Sequence, residues 1–423
     1  MKVRLKQSTL IDILNKGAIA ALTDEAQGDT TVFAPLIKSV KIKADADTIT
    51  IESAIKTQAV QYIHTIDKDE VTVKEPGEIM VLAKELMDWV KRQPDSDILL
   101  SLKVLDSPQL ISTINGDAAG KASLKKLGTV DLMSRDQTKT GTKWSLDCFD
   151  ASQVTWVDFK KPAPLFEISN EQLKDAVKST SFAVMPYCPS HAKDAFAFQI
   201  YDNKLYIMGG DGVRMALYEL DAVKNVNLPF TYIVPNKILS TLVGLVSESE
   251  PVIFGYDEKK HRSFIYQSNY IVRADVAEQS VVDVKVPPLS YLFDQHKFDK
   301  FARINKKLLA SRLGTASMIN KKNIMYVFKG SQVLLHSISE SGMAPMTCTA
   351  SLIENTRDIK TLWSVTHVMD IIKALPDDEM IIMLPSNTTR IFKVASELNP
   401  NFTYYAREAE MSGTKYAAID VDK

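Results

Sequence analysis

One sequence pattern occurs three times in the chain. It consists of a strand end, an amphipathic helix, an acidic turn and an apolar strand. The copies span residues 81–102, 232–256 and 364–384. In each copy the apolar strand begins sixteen to eighteen residues after the valine that precedes the helix. Apolar residues at helical spacing predict one buried helix face, and a short apolar run after a turn predicts a strand. Three copies therefore predict three similar domains.

A second repeated sequence pattern precedes the first in each third of the chain. It places two alternating strands after a helix and joins them by short turns at residues 45–47, 201–203 and 329–331. Alternation across a turn that contains Asp, Asn or Gly is the signal of a β-hairpin. At a helix N-cap, a side-chain oxygen can accept a hydrogen bond from a backbone N–H of the first turn. Three residues stand at such positions: Ser8, Ser169 and Asn305. Each domain is thus predicted as α+β, with two helices packed on antiparallel sheet.

Proline-rich segments separate the repeats. Residues 160–164 read KKPAP and residues 286–288 read VPP, and the second linker is predicted to run on to about residue 295. Proline lacks the N–H that a sheet ladder needs, so such clusters are typical of linkers. The predicted domains are residues 1–160, 161–288 and 289–423. The first is the longest, and its surplus at residues 106–142 is predicted to form extended surface loops.

Composition limits the class of partner and the compartment. At 423 residues the chain exceeds the size of one hydrophobic core, and its formal net charge is −1. A highly charged partner must therefore bind a local patch. Three widely spaced cysteines indicate a reducing compartment. No apolar run approaches the roughly 20 residues of a membrane span, so we predict a cytoplasmic protein without membrane association.

Motifs for catalysis are absent from the sequence. The glycines around Asp211 are not followed by the Gly-Lys-Ser/Thr of a phosphate-binding loop. The six histidines are scattered, without the spacing of metal ligands. The acidic turn at residues 377–379 recurs at equivalent repeat positions, so we interpret it as structural. We predict a protein without enzymatic activity, cofactor or metal.

Three motifs in repeat order make the chain resemble the bacterial DNA polymerase III beta subunit family, the replicative sliding clamps. Residues 208–216, MGGDGVRMA, are similar to the family's A-T-D-G-H-R-L-A segment. Residues 75–77, EPG, resemble the family's E-P-G before its second helix, and residues 234–237, VPNK, resemble its V-P-R-K helix entry. With the triple repeat, the resemblance covers nearly the whole chain. The chain is longer than typical members, as in a divergent or mobile-element-encoded clamp.

The resemblance implies a homodimeric ring of six domains around double-stranded DNA. Such a ring binds DNA independently of sequence, is opened by an ATP-dependent clamp loader and tethers the polymerase for processive synthesis. Polymerases and repair proteins with clamp-binding motifs dock in a peptide pocket. Two other functions stay open: a clamp-like peptide-binding scaffold that does not encircle DNA, and a hydrolase or transferase with its site in the loop at residues 211–214.

A DNA-encircling ring needs cations on the helix faces that point away from the sheets. Contacts to phosphates attract DNA without reading its sequence. Lysines on an exposed helix face often have no role beyond contact with solvent. The set as a whole is therefore better evidence for DNA binding than any single lysine. The candidates are Lys16, Lys84, Lys91, Arg92, Lys174, Lys178, Lys237, Lys306, Lys307, Arg312 and Lys373.

The resemblance also implies a partner-peptide pocket and a dimer interface. The pocket residues from the matched segment are Gly210, Gly212, Val213, Arg214 and Met215. The sequence of this chain differs from the family's in the second wall of the pocket. Three residues correspond to that wall by their position alone: Val281, Ile419 and Val421. Gly212 could equally be a turn glycine with positive φ, and Met215 a core residue. Met318 and Ile319 are candidates for the dimer interface or for the core.

Overall fold

A computed structural model of the chain describes residues 1–29, 31, 34–55, 57–94, 96–114, 122–135, 141–153, 159–184, 195–221, 223, 228, 230–259, 262–275, 288–294, 297–339, 345–385 and 391–410. Its contacts divide the chain into two compact units. The first unit contains Met1–Leu165 and Leu245–Val276, and the second contains Phe166–Gly244 and Ala277–Lys423. Each unit thus holds one terminal predicted domain and part of the middle one. The division into three domains stays a prediction.

The helices are short. Their bounds are α1 (Gln7–Gly17), α2 (Asp24–Gly28), α3 (Ala34–Ile37), α4 (Ala83–Arg92), α5 (Asn170–Thr180), α6 (Asn236–Leu242), α7 (Leu289–Phe293), α8 (Lys306–Ala316) and α9 (Val365–Ala374). Among the described residues, no helix combines the length and apolar character needed to cross a bilayer.

Strands make up most of the regular structure. Their bounds are β1 (Lys2–Lys6), β2 (Ser39–Ala44), β3 (Thr48–Ala54), β4 (Gln58–Thr65), β5 (Val71–Glu75), β6 (Gly77–Leu82), β7 (Asp97–Ile114), β8 (Ala122–Arg135), β9 (Lys143–Phe149), β10 (Pro164–Ile168), β11 (Ala195–Tyr201), β12 (Lys204–Gly210), β13 (Arg214–Leu220), β14 (Tyr232–Pro235), β15 (Val252–Asp257), β16 (Arg262–Tyr266), β17 (Tyr270–Asp275), β18 (Phe298–Asn305), β19 (Asn323–Lys329), β20 (Gln332–Ile338), β21 (Pro345–Ser351), β22 (Glu354–Asn355), β23 (Ile359–Ser364), β24 (Glu379–Pro385), β25 (Ile391–Ala395) and β26 (Phe402–Arg407).

The first unit contains two antiparallel sheets. One has the strand order β5-β1-β7-β8-β9, and the other includes the run β15-β16-β17-β4-β3-β2-β6. The pairing of β17 with β4 adds three strands from the predicted middle domain to a sheet of the first one. Helices α1 and α4 pack against each other, and α1 also packs on β3 and β4.

The second unit also contains two sheets. The larger one has the order β14-β11-β12-β13-β26-β25-β24-β18-β22, and the smaller one has the order β21-β20-β19-β23. Helix α5 packs on β12 and β13, while α8 packs on β20 and β21 and contacts α9. The arrangement in both units is the predicted α+β fold, with helices on antiparallel sheets.

The three predicted hairpins are confirmed as β2–β3, β11–β12 and β19–β20. In the middle hairpin Asp202 and Asn203 both have positive φ, at 49° and 60°. Asp and Asn tolerate this left-handed conformation better than other non-glycine residues. Gly330 supplies it in the last hairpin, with φ of 55°.

Two of the three predicted helix caps are confirmed. Ser169 accepts a hydrogen bond from the N–H of Gln172, and Asn305 accepts one from the N–H of Leu308. The prediction for Ser8 is wrong, because α1 already begins at Gln7. The side chain of Gln7 instead donates to the carbonyl groups of Val90 and Gln93, at the end of α4.

The extra segment of the predicted first domain, residues 106–142, forms β-strands in most of the part that the structure describes. Strands β7 and β8 pair from Asp97 to Ile114, with register shifts after Val104 and after Leu110. Residues 115–121 and 136–140 lie outside the described part. The prediction of surface loops is therefore wrong for residues 106–114 and 122–135. Exposed side chains on this pair obscured the alternation that predicts strands, as at Val104, which is 62% exposed.

The acidic turn at residues 377–379 has a structural role. Asp377 is buried and accepts hydrogen bonds from the Ser396 hydroxyl and from the N–H groups of Glu397 and Leu398, at 2.9 and 3.0 Å. Burial opposes the charged form, but these hydrogen bonds outweigh it, and the pKa of Asp377 lies below its ordinary value. The carboxylate thus holds the segment that leads from β25 towards β26.

We expect Asp377→Asn to destabilise the protein at pH 7 by about 1–2 kcal/mol, the net value of buried hydrogen bonds to a charged group. A carboxylate with a lowered folded-state pKa stabilises the fold above the ordinary Asp pKa of about 4. That stabilisation is lost as the pH falls through the folded-state pKa. The difference between wild type and variant in urea-unfolding free energy should therefore shrink between pH 7 and pH 3.

The neighbouring Asp378→Asn is the matched control, because the Asp378 side chain is 84% exposed. It should change the unfolding free energy by less than about 0.5 kcal/mol at either pH. An equal loss in both variants would contradict the role given to Asp377.

Candidate functional site

The turn between β12 and β13 is built by a single aspartate and a glycine. Oδ1 of Asp211 accepts hydrogen bonds from the N–H groups of Val213 and Arg214, at 2.9 and 3.0 Å. Gly212 has φ of 90°, which favours glycine. The interpretation of Gly212 as a turn glycine is confirmed. Because two strands and not a helix flank this turn, it is not a phosphate-binding loop.

Gly210 allows the strands to approach just before the turn. A Cβ atom on Gly210 would lie 3.0 Å from the carbonyl oxygen of Arg214. Val213 follows at the tip, where it is 47% exposed. The turn thus presents one apolar side chain to solvent above a close backbone contact.

Arg214 points inward and joins the turn to helix α9. Its Nε lies 3.0 Å from Oδ2 of Asp211, and its Nη1 lies 2.6 Å from Oδ2 of Asp370. Its side chain is only 9% exposed. Burial lowers the pKa of the guanidinium, but Asp370, Tyr404 and Asp211 more than offset this and raise it. The guanidinium is therefore committed to carboxylates of the chain itself.

His367 borders this ion-pair network on the same helix. Its Nε2 lies 3.9 Å from Oδ2 of Asp211. Burial, and then the charge of Arg214, lower the pKa of His367. The hydroxyl of Tyr404 donates to the His367 carbonyl at 3.2 Å. Strand β26, which carries Tyr404, is thereby tied to the same helix.

Strand β26 forms the neighbouring wall of the turn. It pairs with β13 so that Met215 lies opposite Tyr405 and Arg214 opposite Ala406. The N–H of Arg407 donates to the Val213 carbonyl at 2.9 Å. The described residues beside the turn are thus Tyr405–Arg407. The aromatic and β-branched residues of FTYYAR could have indicated this strand, but only the pairing shows where it lies.

Met215 packs at the edge of an apolar cluster on this sheet. It contacts a buried group made of Ala197, Tyr206, Met208, Leu217, Leu289, Leu292 and Tyr405. Two of these residues lie on α7, which falls in the segment predicted as a linker. Met215 is itself only partly buried, so it belongs to both the core and the surface. Val281, Ile419 and Val421 lie outside the described residues.

The candidate DNA-facing cations differ in how exposed they are. Lys16 pairs with Asp12 at 2.8 Å and lies over the Tyr62 ring, and the Lys306 Nζ donates to the Leu375 carbonyl at 2.5 Å. Lys174 is partly buried. The exposed members of the set are Lys84, Lys91, Arg92, Lys178, Lys237, Lys307, Arg312 and Lys373.

Charge is most one-sided on helix α8. Its sequence, KKLLASRLGTA, contains three cations and no carboxylate. On α9, by contrast, the carboxylate Asp370 pairs with Arg214. Just beyond α8, Met318 is 77% exposed, which excludes a core role for it, while Ile319 is partly buried.

The described residues contain no group of three or more His, Cys, Asp or Glu side chains that could hold a metal ion. The interacting groups of the turn form a closed set of two carboxylates and one guanidinium. Such an arrangement fixes backbone positions. The surface around it is apolar at Val213 and Met215, which suits an apolar ligand.

Sequence comparison finds curated relatives over part or most of the chain. No family model matches it. A "Beta sliding clamp" of Halalkalibacterium halodurans is 24% identical over 224 residues, which are 52% of this chain and 52% of that protein. The chain thus matches about half the length of that relative. A "Beta sliding clamp" of Staphylococcus aureus is 21% identical over 358 residues, 82% of this chain and 84% of that protein.

Solved structures with the same fold cover the chain almost completely. The DNA polymerase III subunit beta of Pseudomonas aeruginosa has a TM-score of 0.76 at 15% identity, over 97% of this chain and 100% of that one. A sliding clamp of Caulobacter crescentus has a TM-score of 0.75 at 13% identity, with the same coverage. The chain therefore has the sliding-clamp fold.

We expect Arg214→Met to destabilise the protein by about 2–4 kcal/mol, because Asp211 and Asp370 would lose their buried cation. Urea unfolding monitored by tryptophan fluorescence measures the loss. A second change, Asp370→Leu, should restore part of it, since the penalty comes from uncompensated charge.

Arg407→Met is the matched control on the adjacent strand. The side chain of Arg407 is exposed, and its replacement should cost less than about 0.5 kcal/mol. The role of Arg214 as a tie between turn and helix would be rejected by a loss below that value, or by a double variant no more stable than the single one.

Proposed function

We infer that this chain is a divergent member of the DNA polymerase III beta subunit family, and we propose that it is a DNA sliding clamp. Two copies form a closed ring around duplex DNA, and the ring tethers a polymerase for processive synthesis. The protein acts as a topological link and performs no chemistry. Its place of action is the cytoplasm, with the replicated DNA.

The observation that carries the proposal is the full-length match to clamp folds together with sequence similarity to curated clamps. The fold match covers 97% of the chain, and one sequence match covers 82%. A shared fold alone does not define function. Here both kinds of similarity point to the same class of protein.

Electrostatics support loose binding to DNA. Eight of the candidate cations are exposed on helices, and α8 carries cations without acidic neighbours in its own sequence. Lysine and arginine side chains on helices neutralise phosphates and release counterions without reading bases. A protein with net charge of −1 avoids general attraction to nucleic acid, so such binding depends on these faces.

The turn between β12 and β13 supports a role in partner docking. We propose that Val213, Met215 and the adjoining β26 receive an apolar anchor from polymerases and repair proteins. Arg214, Gly210 and Gly212 hold the shape of this pocket. An ATP-dependent loader opens the ring, and Met318 with Ile319 contributes to the contact between the two copies.

The alternative of a hydrolase or transferase receives no support from the turn. Asp211 and Arg214 are bound to each other and to Asp370. Neither group is therefore positioned as a free nucleophile, base or anion clamp. The other alternative, a peptide-binding scaffold without DNA encirclement, differs from a clamp in topology alone and is separated from it by the next experiment.

A topological link predicts retention that depends on the shape of the DNA. The protein is incubated at high concentration with a nicked circular plasmid for hours, so that rings open spontaneously, and then washed in about 1 M NaCl. We expect retention on the circle and release after one restriction cut, because salt weakens phosphate contacts but not encirclement. Retention on neither form would favour the scaffold, and sedimentation as a monomer at micromolar concentration would exclude a two-chain ring.

Contacts from α8 should determine how binding to short linear DNA depends on salt. Each lost phosphate contact reduces the slope of log K against log salt by about 0.9. Lys307→Ala with Arg312→Ala should therefore reduce it by about 2, as measured by fluorescence anisotropy with a labelled duplex. Lys259→Ala with Lys329→Ala, on exposed hairpin turns, should leave the slope unchanged. Equal slopes in the two double variants would remove α8 from the DNA-binding face.

A further inference from the structure

A row of directly opposed residues extends from the candidate pocket across the large sheet of the second unit. Met215 on β13 lies opposite Tyr405 on β26, and Tyr405 lies opposite Lys393 on β25. Directly opposed residues of neighbouring strands point to the same face of a sheet. Met215, Tyr405 and Lys393 therefore share the face on which we place the docking pocket.

Lys393 lies beside two aromatic rings. Its Nζ is 5.8 Å from the ring centroid of Phe298 and 5.8 Å from that of Tyr405. The side chain is partly buried, and among the described residues no acidic group pairs with it. Burial lowers the pKa of Lys393. The ammonium group of Lys393 is thus partly out of water, and no described residue forms an ion pair with it.

Tyr405 adds a second unsatisfied polar group at the same place. The residue is 2% exposed, and its hydroxyl has no hydrogen-bond partner within the described part of the chain. Buried hydroxyl groups are normally hydrogen-bonded, because an unpaired one costs free energy. The Phe298 ring packs edge-on against Tyr405, with centroids 5.5 Å apart. Because this hydroxyl is buried, Tyr405 contributes its ring, and not a donor, to the surroundings of Lys393.

The chemistry of Lys393 selects one class of ligand. Cation–π contacts with two rings contribute about 0.5–2 kcal/mol and do not replace the hydrogen bonds of an ammonium. The Lys393 ammonium can donate to a carboxylate, and charge-assisted hydrogen bonds are the stronger kind. An apolar ligand alone would leave this donor unpaired.

The distance between neighbouring strands shows how far Lys393 lies from Met215, the apolar end of the row. Neighbouring strands lie about 4.8 Å apart, so two strand spacings place Lys393 roughly 10 Å from Met215. An extended peptide covers that distance in about three residues.

We propose that Lys393 forms an acidic-residue subsite of the docking pocket, which selects client peptides with an Asp or Glu about three residues from an apolar anchor. This inference rests on the proposed peptide-docking function and specifies its ligand. Lys393 is the specificity-determining residue, and the rings of Phe298 and Tyr405 hold its side chain on this face. The pocket accordingly prefers acidic apolar peptides over purely apolar ones.

An immobilised array of capped hexapeptides tests the preference with the full-length protein. Each peptide carries two leucines and one phenylalanine, with one Asp or Glu at each remaining position in turn. A matched array carries Asn or Gln there. We expect wild type to bind the best acidic peptide at least about tenfold more tightly than its amide counterpart, as a charge-assisted hydrogen bond provides.

Substitutions of Lys393 distinguish a role in ligand binding from a purely structural role. Lys393→Met should bind acidic and amide peptides within twofold of each other, whereas Lys393→Arg should keep the preference. Lys329→Met, on an exposed hairpin turn, is the matched control and should also keep it. The thermal midpoint of Lys393→Met should not fall, because the variant removes a partly buried charge and keeps the length of the side chain.

The outcomes distinguish this inference from the proposed function. Wild-type binding to apolar peptides without an acidic preference, or a preference that survives in Lys393→Met, would overturn the subsite and leave the clamp intact. Absence of binding to every peptide would reject the pocket and the subsite together. Retention on circular DNA is a separate measurement, which reports on the clamp alone.

Discussion

The pairing of β13 with β26 is the interaction on which the candidate site depends. It joins residues roughly 190 positions apart in the chain, such as Met215 and Tyr405. Without it both strands would be open edges with unpaired N–H and C=O groups, which proteins avoid. The same pairing builds one continuous sheet of nine strands. The surface that we propose for docking is thus a consequence of satisfying the backbone hydrogen bonds of these strands.

Side chains then fix the local geometry on that sheet. Asp211 shapes the turn, and Arg214 ties it to Asp370 on α9. Because all three are at least partly buried, their mutual pairing avoids the cost of isolated charge. The residues that first suggest ligand binding therefore support it indirectly, while the apolar Val213 and Met215 remain for contact.

Charge is distributed unevenly among the helices, and this matters for a protein with almost no net charge. Some cations are engaged within the chain, as Lys16 is with Asp12. Others, such as Lys178 and Arg312, are exposed. A loose phosphate-binding face needs only the second kind. Lys393 belongs to neither group, because it lies beside aromatic rings on the sheet, and for this reason we propose it as the cation that selects a peptide.

Local sequence patterns predict the α+β class, the three hairpins and the caps at Ser169 and Asn305, because alternation, turn residues and capping are local properties. They do not predict the start of α1, the strands within residues 106–135, or the partner of Arg214. Those depend on contacts between distant segments, as when Gln7 binds the end of α4. The row from Met215 to Lys393 was decided by tertiary structure alone, since strand order and register across a sheet are not written in any one segment.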